Sequence, residues 1–166
     1  MQRDNQDRFE QILESNKRRL AALARSYASP NDFDDLYQEM LLQIWKSLDS
    51  FEGRAALDTW VYRVALNTAL THRRKTIERA RHIDSPGELP EPQVTNSRNQ
   101  AGPRRELQIL DEFICTLNKV DRAVFLLFLE DFSYRQMSEI TGFTENHIGV
   151  LISRIKKTYM EKHIGA

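Results

Sequence analysis

Along most of the chain apolar residues recur every three or four positions, the repeat of an amphipathic helix, and the period-two alternation of a strand is nearly absent. The first such pattern is RFEQILESNKRRLAALARSYA. It stops at SPND, where Pro30 and Asn31 break a helix and Asp32 or Asp34 can cap the next. The second is DDLYQEMLLQIWKSL, closed by DSFEGRAALD, and the third is TWVYRVALNTALTHRRK. From about Glu78 the character changes: RHIDSPGELPEPQVTNSRNQAGPRR holds four prolines and two glycines and has almost no periodicity. Such a stretch reads as a flexible tether. Four further helical patterns follow: ELQILDEFICTLN, VDRAVFLLFLED, SYRQMSEIT and ENHIGVLISRIKKTYMEKH. The expected architecture is all-α. Two small helical domains, residues 1–80 and 106–166, are joined by a linker over residues 81–105.

Three helical faces need explaining. In the third pattern, Val61, Tyr62, Ala65, Leu66 and Ala69 share one apolar side, while Trp60 falls opposite with Arg63, Asn67, Thr71 and Arg74. A tryptophan among polar and basic residues either meets a ligand or packs against the first helix or the preceding loop. In the second pattern, Leu36, Tyr37, Met40, Leu41, Ile44, Trp45 and Leu48 form the apolar side; Asp35, Gln38, Glu39 and Lys46 form the other, with Leu42 in its middle. An exposed leucine is ordinary on a protein surface. Ringed by acids and amides, it also has the form of an anchor with a polar rim.

The C-terminal pair reads as helix-turn-helix. Ser133 and Gln136 have capping-box spacing, Gly142 supplies the turn, and Thr144 with Glu145 starts the second helix. Ile148, Leu151, Ile152, Ile155 and Tyr159 make its apolar stripe. Asn146, Val150, Ser153 and Lys157 lie opposite, flanked by His147 and Arg154. Side chains of this kind reach base edges and phosphates in a major groove, but an ordinary helical hairpin with a wet outer face has the same spacing.

Composition narrows the classes. Lys plus Arg and Asp plus Glu each number 24, so the net charge is zero and no global polyanion signature exists. Nucleic-acid binding then rests on local clusters or on a partner. The single cysteine, Cys115, cannot pair internally and reads as a small buried hydrophobe, in keeping with a reducing cytoplasm. No apolar run is long enough to span a membrane, and MQRDNQDRFEQ is too polar for a signal peptide. There is no Gly-rich phosphate loop, no Cys/His metal set and no nucleophile–base pairing, so neither an enzyme, a metal site nor a cofactor is expected.

Taken together, DDLYQEMLLQIW, SFEGRAALD, TWVYRVALN and LNKVDRAVFLLFLEDFSYRQMSEITG resemble, in order and spacing, the sigma-70 family of bacterial RNA polymerase initiation factors, in particular the small extracytoplasmic-function (ECF) subfamily. The resemblance covers nearly the whole chain apart from the linker. It implies a cytoplasmic factor that binds core RNA polymerase and directs it to promoter DNA. Asp35, Gln38, Glu39 and Leu42 would dock on the largest polymerase subunit. Trp60, Arg63, Asn67 and Thr71 would meet the −10 element, with Phe51 walling a pocket for a flipped base and Arg73, Arg74 and Lys75 holding phosphates. Stacking on an aromatic ring recovers about 1–3 kcal/mol per base, comparable to the cost of flipping. Arg135, Asn146, His147, Val150, Ser153, Arg154 and Lys157 would read the −35 element. The tether would thread through the core enzyme toward the RNA exit path. Control would come from outside, through an anti-sigma factor.

Departures from the family pattern include Gly149 and Leu151, where Lys and Arg are frequent, and Glu52 and Arg54 in the loop. Promoter sequences therefore do not transfer from relatives. The rival reading, a free-standing helix-turn-helix regulator, lacks a dimer interface or ligand domain and leaves the DDLYQE surface and Trp60 unexplained.

Overall fold

The computed structural model describes residues 2–82, 103–163 and 165. Every regular element among them is helical. The chain divides into two compact units, Met1–Glu91 and Pro92–Ala166. Most of the expected tether, residues 83–102, lies outside the described residues.

The first unit holds α1 (Gln2–Tyr27), α2 (Phe33–Ser47), a short 3-10 turn (Leu48–Ser50) and α3 (Leu57–His82). Its core is the meeting of three apolar stripes: Ile12, Leu20, Leu23 and Ala24 from α1, Leu36, Met40 and Ile44 from α2, and Val61, Tyr62, Ala65, Leu66 and Ala69 from α3. The α2 and α3 stripes are those the period predicts. Asn16, Thr59 and Thr68 are buried with them. Asn16, 2% exposed, donates from Nδ2 to the Ile12 carbonyl at 3.1 Å and to Asp58 Oδ1 at 3.0 Å, pinning α1 to the first turn of α3. Asp32 occupies the N-cap of α2 without capping it. Its carboxylate instead accepts from Ser29 Oγ at 2.6 Å, closing the turn after α1.

The second unit holds α4 (Pro103–Thr116), α5 (Lys119–Leu129), α6 (Tyr134–Thr141) and α7 (Glu145–His163). Helix α5 is its centre, buried without a break from Asp121 to Leu127. The apolar run VDRAVFLLFL is enclosed over residues 121–127, and only its ends, Val120 and Leu129, are exposed. The arginine in that run has a specific task. Arg122, 3% exposed, donates to the carbonyls of Ile114 at 3.2 Å, Cys115 at 2.8 Å and Leu117 at 3.1 Å. These lie at the end of α4, where carbonyls lack helical partners and a cation is favoured. Phe113, Tyr159 and His163 pack ring to ring and tie α4 to the end of α7. Cys115 differs from expectation: it is half-buried rather than core.

The helix-turn-helix grammar forms as read. Ser133 and Gln136 make both bonds of a capping box, and Gly142 ends α6 with φ +79°. Thr144 Oγ1 accepts from the His147 N–H at 3.2 Å, and Ser138 Oγ locks the turn by donating to the Phe143 carbonyl at 2.6 Å.

Gly149 sits inside α7, and a Cβ built there meets only the edge of the Tyr134 ring at 3.5 Å, an ordinary contact. Replacing Gly149 with alanine therefore stabilises the protein by about 0.5–1 kcal/mol, the helix-propensity difference, with no steric cost. Urea denaturation of the full chain checks this; a lower midpoint would show that the α6–α7 contact is tighter than it looks.

Candidate functional site: three exposed surfaces

The first face belongs to α2. Asp35, Gln38 and Leu42 are exposed, Leu42 at 48%. The structure adds a residue that periodicity placed in the core. Trp45 is 42% exposed and makes an edge-on contact with Phe9 at 5.1 Å. Positions 35, 38, 42 and 45 are spaced three, four and three apart and so form one stripe. The stripe carries two large apolar side chains beside an acid and an amide. Trp45 was missed because it lies at the edge of the apolar arc, where α1 covers it with a single phenylalanine.

The second face lies between α2 and α3. Glu39, Gln43 and Ser47 of α2 and Val64, Asn67, Thr68, Thr71, His72 and Lys75 of α3 line an open groove of roughly 410 Å³. Glu39 is half-buried and lines this groove. Asn67, Thr71 and Lys75 are exposed along one wall, each a helical turn apart. Arg63 and Arg74 are exposed on the same flank, and Arg74 makes a long surface pair with Glu78 at 3.9 Å. Such a pair is weak and gives way readily to a stronger anion. Arg73 does not join this set: it is half-buried, because its helical angle brings it round toward Leu66 and Tyr62.

Trp60 is the main correction. It is 8% exposed, and no open aromatic platform exists at that position. It stands in the first turn of α3, where the loop from Phe51 to Ala56 folds back over the side the helical wheel leaves bare. Four successive residues, Thr59 to Tyr62, are consequently buried. Its ring packs on Phe51 with centroids 5.2 Å apart, and the Arg8 guanidinium covers Phe51 at 5.1 Å. Phe51 is half-buried at the loop's entrance, so its candidate role as a pocket wall keeps a physical basis. Trp60 supports that wall from behind.

The third surface is the outer side of α7 in the second unit. Asn146, His147, Val150, Ser153, Arg154 and Lys157 are all exposed, Val150 at 64%. The His147 ring rests edge-on against Phe143 at 5.1 Å, and Lys157 pairs loosely with Glu161 at 3.9 Å. Arg135 on α6 is exposed and faces Glu139 at 3.6 Å. Arg154 alone is strongly held, through an ion pair to Asp121 at 2.7 Å. Among the described residues there is no cluster of three or more metal-ligating side chains, and no helix is long and apolar enough to cross a membrane.

Comparison with known proteins bears on both units. Residues 12–78 match the family pattern of Sigma-70 region 2, and residues 107–158 that of Sigma-70, region 4. The chain is 30% identical to the ECF RNA polymerase sigma-E factor of Escherichia coli over 167 aligned positions, covering 93% of this chain and 84% of that protein. A shorter match to the sigma-E factor of Haemophilus influenzae is 35% identical over 69 residues, 42% of this chain and 36% of the relative. Among solved structures, the sigma factor RpoE of Bartonella quintana, determined in complex with the anti-sigma factor NepR, shares the fold. Its TM-score is 0.71 at 24% identity, covering 92% of this chain and 94% of that one.

Proposed function

The chain belongs to the sigma-70 family, in its ECF branch, and from that premise we propose that its exposed faces divide the work of promoter-directed transcription initiation among them. The α2 stripe of Asp35, Gln38, Leu42 and Trp45, with Glu39 at its margin, docks on core RNA polymerase. The α3 flank of Arg63, Asn67, Thr71, Arg74 and Lys75, together with the Phe51 loop, meets the −10 element. The outer side of α7, with Arg135, meets the −35 element. The factor works in the cytoplasm and has no catalytic activity of its own. The expected tether over residues 81–105 loses its ends to α3, which runs to His82, and to α4, which starts at Pro103; the stretch between those helices acts as the tether between a −10 domain in the first unit and a −35 domain in the second.

The observation that carries this reading is the arrangement of α2 and α3. An apolar-and-acidic stripe faces one way, while a groove walled by Asn67, Thr71 and Lys75 opens beside it on the same rigid three-helix unit. A protein surface with a large exposed apolar pair suits a protein partner. A row of amide, hydroxyl and ammonium groups suits bases and phosphates. Holding both on one unit fixes the DNA relative to the polymerase.

The zero net charge is consistent with that division of labour. Phosphate contacts dominate affinity in free DNA-binding proteins, whereas here the core enzyme supplies much of the nonspecific hold. An anti-sigma factor of the kind bound to the Bartonella relative would act by covering the α2 stripe or the α7 face.

The direct test is run-off transcription with core polymerase, this protein and a genomic promoter pool. New start sites that appear only with the protein are expected, and their alignment yields both promoter elements. Specific DNA binding by the protein alone, without transcripts, would favour the free-standing regulator. At residue level, Asn67→Ala flattens discrimination among −10 variants by about 1–3 kcal/mol, the usual cost of one mismatched position. Transcription from mutated promoters measures this, and an unchanged −10 preference would remove Asn67 from the reading face.

A further inference from the structure

The ion pair between Asp121 and Arg154 differs in kind from the surface pairs beside it. The pairs of Arg135 with Glu139 and of Lys157 with Glu161 each lie within one helix, one turn apart, and are long and exposed. Asp121 and Arg154 are 33 residues apart in sequence, join α5 to α7, and meet at 2.7 Å. The two ends differ in exposure: the Asp121 side chain is 11% exposed and that of Arg154 is 59%.

Asp121 is itself fixed from the other side. Asn118 caps α5, its Oδ1 accepting from the backbone N–H groups of Val120 at 3.0 Å and Asp121 at 2.9 Å. The amide of the same Asn118 donates to Asp121 Oδ2 at 2.8 Å. One carboxylate oxygen is thus held by Asn118 and the other by Arg154. The carboxylate has no freedom to swing, and Arg154 inherits that rigidity. Its guanidinium has five N–H donors in a planar fork, and a single one is engaged by Asp121. Most of the fork stays in solvent, next to Ser153 and one turn from Lys157 and Val150.

We infer that Asp121 is a positioning residue for DNA recognition: it holds the Arg154 guanidinium at the edge of the outer face of α7, with the free side of the fork presented to a backbone phosphate beside the −35 element. The inference rests on the assignment of that face to DNA. A long side chain loses conformational freedom when it is clamped on a phosphate, and one already immobilised by a buried partner loses less. The carboxylate thereby raises affinity although its charge is of the wrong sign for DNA.

That sign makes the proposal testable. Removing Asp121 makes the protein one charge more positive. If only charge counted, Asp121→Ala would tighten DNA binding. If Asp121 positions Arg154, the same change weakens it. Holoenzyme is assembled from core polymerase and the full chain, and its affinity is measured on duplex containing a −35 element mapped by the run-off transcripts, across a range of salt concentrations.

We expect Asp121→Ala and Arg154→Ala each to weaken binding by about three- to tenfold and to lower the log–log salt slope by about one, the signature of a lost phosphate contact. In the Arg154→Ala background, Asp121→Ala then has no further effect on affinity. Asp121→Asn keeps the volume, but its one amide oxygen can accept from Asn118 or from Arg154 and its N–H group then opposes the other donor; it weakens binding in the same direction and serves where the alanine variant folds poorly. Tighter or unchanged binding in either Asp121 variant, an unchanged salt slope, or an equal loss with and without Arg154, overturns the inference. Failure of wild-type holoenzyme to bind the duplex at all would instead overturn the assignment of the α7 face.

Discussion

Trp60→Ala lowers the stability of the N-terminal unit by about 3–5 kcal/mol, the range for truncating a large buried aromatic. Trp60 is 8% exposed and in ring contact with Phe51, which in turn lies under Arg8. Deleting the indole empties the space between the first turn of α3 and the loop that folds over it. It also removes the support of Phe51. Against a typical domain stability of about 5–15 kcal/mol, that loss takes a large share of the total. Denaturation of the full chain, followed by circular dichroism, should show an earlier transition in the variant. Trp60→Phe, which retains an aromatic filler, is expected to recover most of the loss. Promoter opening fails in the alanine variant as a consequence of a disordered loop. The contrary outcome, an unchanged midpoint with promoter opening abolished, would restore Trp60 as a surface that DNA stacks upon.

Leu42→Asp acts on binding and leaves the fold intact. Leu42 is 48% exposed, so its replacement neither opens a cavity nor buries a charge. In the docked state the reverse holds. An apolar anchor at the centre of an interface typically carries about 2 kcal/mol or more, and a carboxylate desolvated there costs more still. Glu39 already stands one turn away and Asp35 two, and a third acid adds like-charge repulsion. The expected loss of affinity for core polymerase is about 30-fold or greater, from the 1.4 kcal/mol per decade of binding arithmetic. Titration of labelled protein with core enzyme measures it, and the denaturation midpoint of the variant should match wild type. Trp45→Ala should weaken the same interaction, since Trp45 lies on the same stripe with 42% of its surface open. An unaltered dissociation constant for Leu42→Asp would take the docking face off α2.

The α6–α7 pair was fully legible because its signals are local. Capping boxes, a glycine turn and a three-to-four repeat involve residues within one or two turns of each other, and the bonds of Ser133, Gln136, Gly142 and Thr144 form where the spacing puts them. The helical period likewise sorted Val61, Tyr62, Ala65, Leu66 and Ala69 to the core and Arg63, Asn67 and Thr71 to the surface. For these residues burial follows the angle around α3 toward α1 and α2.

Trp60, Trp45 and Arg154 needed the tertiary structure. A helical wheel assumes that everything opposite the core is wet. At Trp60 a loop of separate sequence covers the far side, and at Trp45 the end of the apolar arc outruns the helix that should cover it. Arg154 reads from its position as a free basic group, and its tie to Asp121 crosses 33 residues of chain. The amino-acid order by itself determined the helices, the caps of the α6–α7 pair, the two-unit plan and which faces are polar, because these follow from backbone periodicity and neighbours in sequence. Which polar or aromatic residues are free to meet a partner was decided only by packing, since burial and ion pairing depend on what folds against a residue from a distance along the chain.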